Sequence, residues 1–522
     1  MTWTGRSLYH AFCDTAEADP RGIAWLERCD ETQLDCRWRD WTWQRVHAVV
    51  DAMAAWLEAH EIHRGDRLVS ALPNGLDWAL IDLACSATGA IHAPLDLRMP
   101  EPAMLGWMHR IRPALCIHAD SGSQSFTHAL SCARIVITAQ QLRKEIEAVS
   151  ISNNQVHRWR ARVEDDATAC ILSTSGTTGS PKGVMLSHRN LISNAAAKFD
   201  AMPQSPDDLR LNLLPFAHAY AKTCELGVWA FSGGTMACSQ GMRQTLEHAR
   251  QLKPTLINAV PAFYHHVANE AEGDVIHAKL GGRIRRLASG GAPLLESLRA
   301  LYERLGFPIY QGYGLTEASP VVCSNRAGTT ATPACLLGVG PAVTDTRLRL
   351  DGDNRLWVRG PGVMQGYWND PGATEARIMD GWLDTGDHAN LHGAARASSV
   401  DVPLGAALSI TGRSDDIQVL ANGYKFSPAP WERILMDSLP IERCILIGNH
   451  RVTPLLAVQT RADSLLSPPQ LLAMALDALR DAPRYCQPAR LVIDREAWTP
   501  ETGLVHWKGH LLRRALETRF AD

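Results

Sequence analysis

Apolar positions in the first third of the chain change period several times. After Trp41-Thr42-Trp43, residues Val46, Val49, Val50, Met53 and Leu57 fall at helical spacing and predict an amphipathic helix. Arg64-Gly65-Asp66 reads as a turn, and the continuous apolar run 68–72 as a strand. A helical pattern returns over 77–88 and stops at Gly89, and 90–94 gives the next strand. Helix and strand alternating in this way from residue 7 to about 155 predict an α/β domain. Farther on, 170–172 is a short buried strand and 223–231 a mostly apolar helix. Leu287-Ala-Ser-Gly-Gly-Ala-Pro-Leu294 is a strand running into a glycine turn. Between 388 and 408, Ala, Ser and Gly dominate without periodicity, which predicts a flexible insert.

Bulk numbers bound the possibilities. A chain of 522 residues is too long for one core, so more than one domain is expected. With 46% hydrophobic and 20% charged residues the composition is that of an ordinary globular protein. Net charge is −3 and no long basic run occurs, so nucleic acid is not an expected partner. The 13 cysteines are scattered, with no Cys-x-x-Cys, which argues against a disulfide framework and for a reduced, cytoplasmic setting. The first residues lack the apolar core of a signal peptide, and no apolar stretch is long enough to span a membrane. The His265-His266 pair and the His388/His392 spacing lack the partners of a metal site.

Chemistry concentrates in two motifs. In residues 169–188 an apolar run gives way to hydroxyls and glycines, Ser173 to Gly179, and then to Pro181 and Lys182. Gly176 and Gly179 let successive N–H groups converge on an anion. Ser175, Thr177, Thr178 and Ser180 add hydroxyl donors and Lys182 a positive charge, so the stretch reads as a polyphosphate cradle. It is not the common ATPase loop, because Lys182 follows Pro181 and precedes Gly183. In Tyr310-Gln-Gly-Tyr-Gly-Leu-Thr-Glu317, glycines flank Tyr313 and free its ring for stacking. Thr316 and Glu317 then offer the oxygen ligands that Mg²⁺ prefers. Gly290 and Gly291 permit close approach of a flat ring, and Asp387, in Gly381-Trp-Leu-Asp-Thr-Gly-Asp387, suits a bidentate bond to two ribose hydroxyls. His218 follows a Pro-containing bend and is a weaker candidate.

These motifs, in this order, resemble the adenylate-forming (AMP-binding) superfamily. The phrases Gly314-Leu-Thr-Glu-Ala-Ser-Pro320 and Thr499-Pro-Glu-Thr-Gly-Leu-Val505 look most like its fatty acyl-CoA ligases. The resemblance implies a large N-terminal domain, residues 1–413, of two α/β subdomains plus a small β-barrel. A small mobile α+β domain, 414–522, would follow. It implies an activity: a carboxylic acid, a fatty acid in the ligases it looks most like, reacts with ATP and Mg²⁺ and passes as an acyl group to coenzyme A. Alternatives are delivery to an acyl carrier protein, or a degenerate binder without turnover. Carried onto this sequence, Tyr313 stacks on adenine, Thr316 contacts the α-phosphate and Glu317 holds Mg²⁺. Thr174, Ser175, Gly176, Thr177, Thr178 and Gly179, with Lys182, face the phosphates, while Gly291 and Ala292 lie along the nucleotide. Asp387 and Arg413 bind ribose, His218 borders the acyl pocket, Asp415 is the hinge, and Gly423 passes the pantetheine arm.

One motif departs from the family. Its final loop carries a lysine after glycine, but here His510 follows Gly509, ahead of Arg513-Arg514, and Lys508 stands two residues earlier. Either His510 serves as a weaker cation, or Lys508 reaches in, or the function is lost.

Overall fold

The computed structural model describes residues 7–29, 38–119, 132–149, 159, 163–174, 181–269, 274–327, 338–391, 400–460, 464–507 and 509–521. Two large sheets draw their strands from residues 23–367. One has seven strands, in the order Gly366–Tyr367, Lys182–Ser187, Thr168–Thr174, Ile91–His92, Arg67–Ala71, Leu115–His118 and Ile135–Thr138. The second has eight, from Val321–Ser324 and Ile309–Gly314 at one end to Ile23–Arg28 and Trp38–Thr42 at the other. Both are parallel through the middle and antiparallel at an end, the pattern of sheets covered by helices.

The predicted helix is Trp43–Ala59, capped by the Thr42 side chain accepting from Arg45 N, with Val46, Val50, Met53 and Leu57 buried. The next, Leu76–Thr88, ends as expected at Gly89, whose φ of +80° few other residues adopt. Trp43 and Trp229 stack at 4.9 Å, and the Trp229 indole donates to Ala24 O, so this core joins helices to the second sheet.

Two sequence expectations need correction. Instead of one helix over 223–231 there are three pieces, α-helix Ala219–Ala221, π-helix Lys222–Gly227 and α-helix Val228–Ser232. The wide π turn carries two buried charges to separate partners, Lys222 to Asp82 at 2.5 Å and Glu225 to Arg210 at 2.8 Å. The stretch 388–408 is not an insert throughout. Strand Trp382–Leu391 runs into it, and Val400–Asp401 pairs with Leu350 and Arg349, both belonging to a six-stranded antiparallel sheet.

After Asp416 come the hairpin Gln418–Val419/Lys425–Phe426 and a three-stranded sheet covered by helices Ala429–Ser438 and Pro468–Ala478. Arg513 has a structural place here: its guanidinium donates to both oxygens of Glu432, at 2.7 and 2.8 Å, and to Leu446 O. Among the described residues no helix is long and apolar enough to cross a membrane.

Candidate active site

A cleft of about 700 Å³ opens where the two large sheets and the antiparallel sheet meet. The hairpin of Thr168–Thr174 and Lys182–Ser187 forms one wall, with Thr174 and Lys182 paired in register and both lining the cleft. Ser175, Gly176, Thr177, Thr178 and Gly179, between those strands, lie outside the described residues. Opposite, strand Ile309–Gly314 ends in the short helix Thr316–Ala318, which sets Tyr313, Thr316 and Glu317 on the cleft. Gly314 is fixed by crowding, since a Cβ there would fall 1.8 Å from Pro320 O.

Tyr367 joins the two walls. Its hydroxyl donates to Glu317 Oε1 at 2.8 Å, and the Lys182 ammonium sits 4.9 Å from its ring centroid. Among the described residues no group of three or more metal-ligating side chains occurs. Glu317 and Thr316 offer two oxygens on the cleft to a cation whose remaining ligands would be phosphate oxygens, the habit of Mg²⁺. The Tyr313 hydroxyl donates to Asp387 Oδ2 at 2.5 Å, and Arg413 Nε lies 3.6 Å from Asp387 Oδ1. Burial pushes the Asp387 carboxyl above its usual range, against the pull of Arg413, and keeps the Tyr313 phenol protonated.

Gly291 lines the cleft with φ +79°, and Gly290 packs against the Tyr220 ring. Ala292 is exposed beside them and is not part of the lining. His218 is part of it, as the centre of a group the sequence did not reveal. Its Nε2 lies 2.7 Å from Asp96 Oδ2, with the Arg98 guanidinium against the same edge. Burial raises the Asp96 carboxyl, but His218 and Arg98 outweigh it and hold Asp96 well below the usual carboxylate range.

The C-terminal loop reaches this group through Trp507, not His510. The Trp507 ring lies 6.4 Å from His218 at 25°, and Arg98 stands 6.0 Å from its centroid. His510 is exposed and outside the lining; its ring stacks on His506 at 4.4 Å, and its carbonyl accepts from His506 N. That tight turn directs the loop's indole, and not its second imidazole, to the cleft. Lys508 lies outside the described residues. Asp415 lines the cleft in the turn Ser414–Asp416. Gly423 turns the hairpin after it with φ +84°, away from the lining. Trp507, Arg98, Asp96 and Tyr367 were not legible in the sequence, because each gains its meaning from a partner far away in the chain.

Comparison with known families decides the class. A model of AMP-binding enzymes matches residues 24–368, and one of the AMP-binding enzyme C-terminal domain matches 415–522. The chain belongs to the AMP-binding enzyme family. A long-chain-fatty-acid–CoA ligase, FadD15 of Mycobacterium bovis, is 27% identical over 482 residues, 80% of this chain and 77% of that protein. A feruloyl-CoA synthase of an Amycolatopsis species is 29% identical, over 78% of this chain and 80% of its own. The structure titled ATP-bound MatB from Rhodopseudomonas palustris matches 99% of each chain with a TM-score of 0.81 at 21% identity, which shows a shared fold. With that membership and these relatives, this AMP-binding enzyme falls in the acid–thiol ligase class.

Proposed function

We propose that this enzyme converts a carboxylic acid and ATP to an acyl adenylate and then passes the acyl group to coenzyme A. The observation that carries the reading is the convergence of Tyr313, Thr316, Glu317, Asp387 and Arg413 on one wall with Lys182 and Tyr367 on the other. In the first step a carboxylate oxygen attacks the α-phosphorus and pyrophosphate leaves. In the second the thiol sulfur attacks the acyl carbonyl and AMP leaves. The protein's share is alignment and charge neutralisation. Tyr313 and Asp387 hold the nucleoside, Lys182 and Thr316 meet phosphate oxygens, and Asp96 and Arg98 orient His218 beside the acid. Glu317 would hold a magnesium ion, which when bound would lend Lewis acidity to the phosphates.

In this reading residues 414–522 swing about Asp415 between the steps, and Gly423 then approaches the pantetheine path. A fatty acid is the acid favoured by the sequence motifs and by relatives named long-chain-fatty-acid–CoA ligases. A cytoplasmic setting is supported by the described cysteines, none of which is joined in a disulfide. A relative named a long-chain-fatty-acid–[acyl-carrier-protein] ligase makes the carrier protein the alternative thiol. The test is pyrophosphate and AMP release across aliphatic and aromatic acids, with and without coenzyme A. AMP release accelerated by coenzyme A supports the proposal. Acceleration by acyl carrier protein alone would move the acceptor, and no pyrophosphate with any acid would leave a binder without turnover.

A further inference from the structure

Beyond His218 the cleft is walled by Ala219, Tyr220, Cys224, Val260, Pro320 and Val321, a surface suited to hydrocarbon. Lys198 breaks that character. It lines the same cleft from the last turn of helix His188–Ala201 and is only 5% exposed. Its ammonium has three donors, and the acceptors it meets are Met202 Sδ at 2.9 Å and Ser324 Oγ at 3.0 Å. Both are neutral, and no described carboxylate forms an ion pair with it. The other charges that act on it, Arg210 and Glu225, are already paired with each other at 2.8 Å. With Lys198 protonated this buried trio carries one positive charge in excess, and burial accordingly lowers the Lys198 ammonium, an arrangement that is costly unless an anion completes it. Ser289 Oγ, on the same lining, is buried without a hydrogen-bond partner among the described residues.

Depth places Lys198 away from the reacting end. Ser324 pairs with Gly312, four residues before Thr316 along the chain, so the ammonium meets this strand pair one residue before Tyr313 and not at Thr316 and Glu317. An acid whose carboxylate is held near His218, with its chain along Tyr220 and Cys224, points its other end into this region.

We infer that Lys198 reads the far end of the acid, and that the preferred substrates are carboxylic acids carrying a second carboxylate at that end. The inference rests on the acid-activating reading above and narrows it, from a plain alkyl acid to an ω-carboxylated one.

The test uses the full-length protein with ATP and Mg²⁺. Dicarboxylic acids from succinate to suberate are compared with monocarboxylic acids of matching length by pyrophosphate release. The same acids are titrated calorimetrically into protein holding a non-hydrolysable ATP analogue. Wild type should favour the diacids by roughly 10- to 100-fold, the range for a desolvated charge-assisted bond. Lys198→Met, which keeps the stem and removes the charge, should invert that order, losing diacids and gaining monoacids in both assays. If that variant does not fold, the wild-type order decides by itself. Monoacids used as well as or better than diacids by wild type overturn the inference and leave acid activation standing. No turnover of any acid sinks the activation reading instead, and the calorimetric order alone then decides the role of Lys198.

Discussion

In the proposed reaction Glu317 would be the residue on which the first half-reaction turns, its carboxylate already oriented by the Tyr367 hydroxyl. Glu317→Ala should lower pyrophosphate release several hundred-fold, about 3–4 kcal/mol of transition-state stabilisation, with unchanged thermal melting. Near-normal release would remove Glu317 from the reaction. His188 gives a pH prediction of a different kind. Burial pushes its imidazole down to about 4, whereas an unfolded chain titrates near 6.5. Between those values the folded protein holds His188 neutral while the unfolded chain takes up a proton. Its contribution is therefore complete above about pH 6.5 and lost as the pH falls toward 4, roughly 3 kcal/mol in all. Urea titrations of His188→Gln should show a shallower acid slope than wild type; an identical slope refutes the assignment. At this scale the sequence pointed to Tyr313, Glu317 and Asp387 through their motifs, and all three line the cleft. Lys198 it could not disclose, because a lysine in the last turn of an amphipathic helix reads as solvated until strand Val321–Ser324 is seen to cover it.

Among elements, the π turn is the most constrained. Lys222 is 2% exposed and meets Asp82, which also accepts from His92 Nδ1 at 2.7 Å, and His92 Nε2 meets Ser70 Oγ at 2.7 Å. Burial alone would lower the Lys222 ammonium, but Asp82 holds it above the usual lysine range. Lys222→Met leaves Asp82 buried without its cation and should cost about 3–5 kcal/mol in chemical denaturation. Adding Asp82→Asn should restore part of that loss, and no restoration would show that Lys222 acts through packing instead of charge. The helical stripes at Val46 to Leu57 were readable because five positions repeat one period. Six residues of π-helix cannot be told from α-helix by period, and the partners that hold it lie on other elements. Residues 388–391 escaped for a related reason: their strand is defined by pairing with Arg355 and with 408–413, not by their own composition.

At the scale of the whole molecule, the contact between Trp507 and His218 links the C-terminal part to the mouth of the cleft. The chain passes between the two parts at Ser414–Asp416, a single short turn after Arg413. Asp415→Pro restricts φ there to near −65° and should spare pyrophosphate release while reducing transfer to coenzyme A at least about tenfold. Equal loss of both half-reactions would count against motion at this turn. The order of motifs was enough to expect the succession of parts: the phosphate loop and Tyr313 follow strands of the two different large sheets, and Asp387 and Arg413 pair in the antiparallel sheet. How the last loop meets the first half was not readable: Trp507 and His218 are nearly three hundred residues apart, and nothing local marks either as a contact.

A π turn is a helix holding one residue more than its length requires. Removing that one residue from Lys222–Gly227 would let the turn close as ordinary α-helix with its flanks in the same relation, so the Trp229 indole keeps its bond to Ala24 O and its ring its place on Trp43. What would be lost is the width that sends Lys222 to Asp82 and Glu225 to Arg210 from one turn. Loss of one codon would thus unseat a buried charge beside Tyr220 and Ala221, which line the cleft, while the helix on either side stayed as it is.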